Sequence, residues 1–191
     1  MLAALIAHIR RFVPLSGEEA ALLEQYIDLR ELKKKAFLLK EGQVCAASYF
    51  LIKGCCRSYF ITEKGIEQIN LFAIEDWWIT DYQSLELQTP SQFYIQAIEP
   101  ATVAVLPRAV QDALFEQLPQ LEKYFRLILQ KALAAAHLRV KYIFSQTGEE
   151  RYDHFTTLFP GFVQRVPQYM LASYLGFTPE FLSKIRAKRI S

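Results

Sequence analysis

The chain is poor in the residues that most often carry chemistry: among 191 residues there are three cysteines, three histidines and seven glycines. Cys45, Cys55 and Cys56 are odd in number and two are adjacent, which makes a poor disulfide framework and matches no zinc or iron–sulfur spacing. They read as small buried hydrophobes on strands, with a redox sensor as the alternative. His8, His137 and His154 all lie outside the strand-like region between about residues 28 and 106. A metal-dependent oxygenase or isomerase on a jelly-roll barrel needs inward-facing histidines with a carboxylate, and that site cannot be assembled here. The sequence also lacks a Gly-rich phosphate loop, a G-x-S-x-G elbow and an isolated Cys/His pair. An enzyme is therefore not expected, nor a metal or other cofactor. No apolar run approaches the roughly 18 residues of a membrane span. The opening MLAALIAHIRRFVPLS puts its charges after the apolar part and offers no small-residue cleavage site, unlike a secretory signal. The expected setting is cytoplasmic and reducing, with no membrane partner.

Net charge is scarce as well, at +2, but it is unevenly spread. From His137 to Ser191 there are eight Lys/Arg against four Asp/Glu, which leaves the remainder of the chain at −2. A basic end on a near-neutral protein points to an anionic partner there.

Hydrophobic residues make up 52% of the chain and aromatics 14%, enough for a packed core. SGEEAALLEQYI begins with a capping box, Ser16 and Glu19, and continues with a helical apolar stripe. From about Asp28 to Leu106 short segments such as KAFLLKEGQ, ASYFLIKG, CCRSYFITEKG and TVAVLP are rich in β-branched and aromatic residues and punctuated by Gly42, Gly54, Gly65, Pro90 and Pro100. Their length and spacing predict a jelly-roll-like β-barrel, with KG and EKG as hairpin turns. RAVQDALFEQL predicts a short helix. The stretch from Pro119 to Ser145 has no glycine or internal proline and predicts a helix roughly 40 Å long. It is either a core helix or, given its alanines and wide apolar stripe, a seam between two copies. Thr147 and Glu150 form a second capping box, and Pro160 and Gly161 stop the helix that follows. The fold class is therefore α+β.

The last part, RVPQYMLASYLGFTPEFLSKIRAKR, reads as a helix, a glycine stop at Gly176, then a helix capped by Thr178 with Pro179 at its first position. Helix, tight turn, helix is the helix-turn-helix layout. Ala172 falls where the two helices need a small residue to cross. Phe181, Leu182 and Ile185 are expected to face the protein, leaving Glu180, Ser183, Lys184, Ala187 and Lys188 outward. Glu180, Ser183 and Lys184 are expected to reach base edges, and Arg186, Lys188 and Arg189 phosphates. The alternatives are a solvated charged corner and a module whose terminal helices bind protein rather than DNA.

Taken in order, a strand-rich region, a long helix, the capped helix TGEERY and RVPQYMLASYLGFTPEFLSKIR resemble the Crp/Fnr family of bacterial transcription regulators, especially its short Bacteroidetes-type members. The resemblance implies a cyclic-nucleotide-binding-like sensor domain over residues 1–117, a dimerisation helix over 118–146 and a winged-helix-type DNA-binding domain over 147–191. It implies double-stranded DNA, a second copy of the chain and RNA polymerase as partners. The family's Glu-x-x-Ser-Arg recognition pattern falls on Glu180, Ser183 and Lys184, with Lys for the usual Arg; Thr178 opens that helix and joins the expected DNA contacts. The sequence ends just past it, so a reduced wing is expected. Members that bind cyclic AMP use Gly-Glu for the ribose and Arg-Ser or Arg-Ala for the phosphate; here Thr80-Asp81 and Ser91-Gln92 take those places. No arginine lies between Arg57 and Arg108, so cyclic AMP and cyclic GMP are not expected ligands. Trp77, Trp78 and Tyr82 either plug the barrel and buttress the long helix or, with Asp81, Ser91 and Gln92, line a pocket for another effector.

Overall fold

The computed structural model describes residues 2–188. Helices α1 (Ala3–Arg10) and α2 (Gly17–Glu24) precede eight strands: β1 (Asp28–Leu32), β2 (Phe37–Leu39), β3 (Ala47–Lys53), β4 (Cys56–Ile61), β5 (Glu67–Ala73), β6 (Trp78–Ile79), β7 (Tyr94–Ala97) and β8 (Ala101–Pro107). A short helix, α3 (Tyr82–Leu87), interrupts the strands between β6 and β7. Then come α4 (Arg108–Gln117), α5 (Gln120–Ser145), α6 (Gly148–Leu158), α7 (Pro160–Arg165), α8 (Gln168–Leu175) and α9 (Pro179–Ala187).

The expected barrel does not close. The strands form two four-stranded antiparallel sheets, ordered β1-β8-β3-β6 and β2-β7-β4-β5. Edge strands β2 and β6 are only three and two residues long, too short to zip one sheet to the other, and short edges of this kind also resist pairing with other chains. The KG turn is a second correction. β3 and β4 belong to different sheets, so Lys53-Gly54 turns a corner between layers rather than closing a hairpin. Gly54 has φ +96° and a Cβ there would lie 2.6 Å from the Cβ of Ala101, so the corner admits no side chain. EKG does close a hairpin, β4 with β5.

Between the sheets lie Leu39, Leu51, Ile79, Ile95, Val103 and Val105, all buried. The first sheet is covered on its other face too. There Phe50, Ala104 and Leu106 meet Leu5 and Ile9 of α1, Leu23 of α2, Leu114 of α4, and Leu121 and Tyr124 of α5. With both faces dry, β3 and β8 read as continuous apolar runs rather than alternating ones. A buried polar link ties three elements together here. The Tyr124 hydroxyl accepts from Trp78 Nε1 at 2.7 Å and lies 2.7 Å from His8 Nδ1. Burial lowers the pKa of His8, so a neutral imidazole taking the tyrosine proton satisfies all three groups.

The second sheet turns its outer face to the C-terminal helices: Tyr59, Ile69 and Phe72 meet Phe162 of α7 and Met170 of α8. The apolar side chains of α5 are buried only at its start, and further along Arg139 reaches β5 and α8. Leu121 and Tyr124 are buried, whereas every residue from 129 to 138 is exposed.

Candidate functional site

α8 and α9 form a compact corner built as the residue types require. Gly176, at φ +78°, ends α8 in the left-handed region, and the Phe177 N–H returns to the Ala172 carbonyl at 2.8 Å. Thr178 caps α9 by accepting from the Phe181 N–H at 3.2 Å, with Pro179 at the first helical position. Leu182 and Ile185 bury themselves with Leu171, Ala172, Leu175 and Tyr152 of α6; burying each such side chain contributes about 1.5–3 kcal/mol. Phe181 departs from expectation: it is 42% exposed and packs edge-on against Phe177 at 5.3 Å. It lies over Gly148, where a Cβ would stand 2.4 Å from its ring.

The opposite face of α9 is open. Glu180, Ser183, Lys184, Arg186 and Lys188 are all exposed. Hydrogen bonds from its own backbone N–H and from Thr178 hold the Glu180 carboxyl below its usual range. Ser183 donates to the Pro179 carbonyl at 3.0 Å. Lys188 forms an ion pair with Glu149 of α6 at 2.6 Å. Thr178 is exposed at the helix start, and Arg189 lies outside the described residues.

On α5, Leu129, Leu133, Val140 and Phe144 are 40%, 57%, 51% and 86% exposed. Their spacing of four, seven and four residues puts them in one stripe along the helix. Beside its first turns runs an apolar groove of ≈ 470 Å³ lined by Phe115, Phe125, Leu129 and Leu133.

The six residues expected around an effector pocket are not brought together. Asp81 and Gln92 line a polar cleft of ≈ 220 Å³ with Gln83, Ser84, Thr89, Pro90 and Phe93. Ser91 is buried behind Asp81 and donates to it at 2.6 Å. Trp78 instead packs on Phe50 and Phe125, at 5.4 and 5.1 Å, bracing α5 as one reading expected. Trp77 is 41% exposed and meets Phe159 at 6.4 Å, while Tyr82 is exposed.

Residues 29–118 match the cyclic nucleotide-binding domain family. The chain is 26% identical over 187 residues to the fumarate and nitrate reduction regulatory protein of Vibrio cholerae, covering 91% of this chain and 74% of that one. It is 26% identical to the transcriptional activator protein anr of Pseudomonas aeruginosa, over 82% of this chain and 68% of that one. FixK2 from Bradyrhizobium japonicum superposes with a TM-score of 0.73 at 18% identity, covering 85% and 83% of the two chains. The chain is similar to regulators of the Crp/Fnr type over most of its length.

The cleft beside α3 lies where the resemblance places the ribose and phosphate contacts, yet it offers little to a cyclic phosphate. The only charged side chain lining it is the carboxylate of Asp81. That carboxylate is already engaged: one oxygen caps α3 through the N–H groups of Gln83 and Ser84, at 3.1 and 3.3 Å, and the other accepts from Ser91. The arginines nearest in sequence are occupied elsewhere, Arg57 with Gln96 and Glu67 and Arg108 with Asp112. The residues present do not fit a cyclic phosphate, which would meet a carboxylate and no guanidinium. α3 itself escaped the sequence reading, although Asp81 followed by Ser84 is a cap signal.

Proposed function

We propose that this chain is a sequence-specific DNA-binding transcription regulator that acts as a symmetric homodimer and does not respond to cyclic AMP or cyclic GMP. The observation that carries the reading is the two-sidedness of α9. Leu182 and Ile185 fix it rigidly to the chain, while Glu180, Ser183 and Lys184 near its N-terminal end are presented to solvent. In this role Lys184 donates to guanine O6/N7, Glu180 accepts from cytosine N4, and Ser183 contacts either a base edge or the backbone. Thr178, Arg186, Lys188 and the adjoining Arg189 engage phosphates, which position the helix without specifying sequence. The exposed stripe on α5 supplies the dimer seam. Two copies related by a twofold axis would place their α9 helices in major grooves about one helical turn, roughly 34–36 Å, apart, so the operator is an inverted repeat. The relatives named above, described as a regulatory protein and a transcriptional activator, support the same reading.

Selection of binding sites from random DNA with the purified protein tests it. An enriched inverted repeat, bound with affinity that drops steeply as salt rises and unchanged by added cyclic AMP, is the expected result. A pool without an enriched motif, or one whose retention ignores salt, would favour a protein partner for the terminal helices.

A further inference from the structure

β5 is the outer strand of its sheet, and an edge strand presents backbone groups that need partners. Here the partners are side chains from two other elements. The Ser173 hydroxyl of α8 accepts from the Ile69 N–H at 2.9 Å and donates to the Glu67 carbonyl at 3.0 Å, standing in for a neighbouring strand. The Gln68 amide donates to the Ser173 carbonyl. Arg139 of α5 donates to the carbonyl of Asn70 on β5 and, at 2.9 Å, to that of Tyr174 on α8, and lies 4.2 Å over the Tyr174 ring. The last carbonyls of a helix lack intrahelical donors and attract cations, so the guanidinium suits the end of α8 as well as the sheet edge. Phe72 meets Phe162 and Tyr174 at 5.1 and 5.2 Å beside this contact. α9 follows α8 across a tight turn and shares its core, so whatever fixes α8 aims α9.

We infer that Ser173 and Arg139 are positioning residues: together they clamp the helix pair to the edge of β5 and thereby set the half-site spacing that the dimer accepts. This rests on the DNA-binding reading above. Arg139 sits on the helix that carries the dimer seam, so one side chain joins the seam, the sensor sheet and the reading pair. Releasing it leaves α9 folded but free to change its angle to the twofold axis.

The test uses the full chain and inverted repeats of the selected half-site with spacers changed by one or two base pairs, each base pair rotating the sites by roughly 35°. Wild type is expected to lose about tenfold or more when misphased, the loss of one good base contact. Ser173→Ala and Arg139→Gln are expected to flatten that profile to within about threefold while keeping wild-type discrimination between the half-site and its single-base variants. Ser173→Thr, which retains the hydroxyl, is expected to keep the wild-type profile. An unchanged spacing profile in Ser173→Ala and Arg139→Gln overturns the inference, as does a loss of base discrimination that runs parallel with the loss of spacing preference. Hydrogen exchange at the Ile69 amide reads the clamp without DNA. It is expected to run about tenfold faster in Ser173→Ala, the worth of one hydrogen bond, and at the wild-type rate in Ser173→Thr. Equal protection in all three proteins overturns the clamp itself. A protected amide in a wild-type protein that selects no inverted repeat would instead overturn the DNA reading, and the positioning role with it.

Discussion

Leu133→Ala is the sharpest probe of the α5 seam. In the single chain Leu133 is 57% exposed and lies outside the buried core. The substitution removes the side chain beyond Cβ, which at about 0.8 kcal/mol per carbon is worth about 2.4 kcal/mol if wholly buried. A partner can cover only the part still open, so about 1.4 kcal/mol per copy remains available to dimerisation. Symmetry doubles it to about 2.7 kcal/mol, which raises the dimer dissociation constant about 100-fold. Sedimentation velocity over a concentration series measures this directly, and a melt below the dissociation constant should reflect only the part already covered in the single chain, about 1 kcal/mol at most. Leu138→Ala is the internal comparison. Leu138 is 48% exposed but lies five residues on, about 140° around the helix, and should weaken the dimer far less. Equal effects from the two substitutions, or a Leu133→Ala dimer within about threefold of wild type, would refute a seam centred on this stripe.

Lys184→Ala should relax preference at one base position of the half-site, whereas Lys188→Ala should weaken all sequences alike and lower the salt slope by about one; a binding-site selection on each variant separates the two. Cys55 and Cys56 are wholly buried, and burial raises both thiols, Cys56 to about 12. A thiol reagent at pH 8 should therefore label them only as fast as the protein unfolds, and rapid labelling in the folded state would revive the redox-sensor alternative. Glu75 is held at about 2 by hydrogen bonds from Arg165. A carboxylate depressed in the fold contributes stability that is complete above its unfolded value, near 4.5, and is lost as pH falls from there towards 2. Melting temperature should drop more steeply across that window in wild type than in Arg165→Gln, and parallel slopes would rule the contribution out.

Local signals carried the sequence reading where they were strong. The capping boxes at Ser16 and Thr147 close as their spacing requires, and Gly176 followed by Thr178-Pro179 marks the α8–α9 corner to the residue. These are signals written within a few positions of one another. Strand pairing is not, since the residues that meet are far apart in sequence. Nothing near Lys53-Gly54 distinguishes a hairpin from a turn between layers; the distinction lies in the distant pairing of β3 with β8 and of β4 with β7.

The candidate site divides along the same line. The polar face of α9 was legible because helical periodicity separates Leu182 and Ile185 from Glu180, Ser183 and Lys184. Phe181 broke the pattern because its ring found Phe177 and the bare backbone of Gly148, a packing choice no local rule encodes. Arg139 was harder still. In sequence it is one more cation in a basic C-terminal stretch, indistinguishable from Lys141, and its position suggests only a solvated helix face. Its partners lie 69 residues upstream and 35 downstream, and they are carbonyl oxygens, which every residue possesses and no sequence pattern flags. A carboxylate partner would have left a charge of opposite sign to look for. Recognition through backbone acceptors leaves none, so the contact that aims α9 emerged only once β5 had been found at the edge of its sheet.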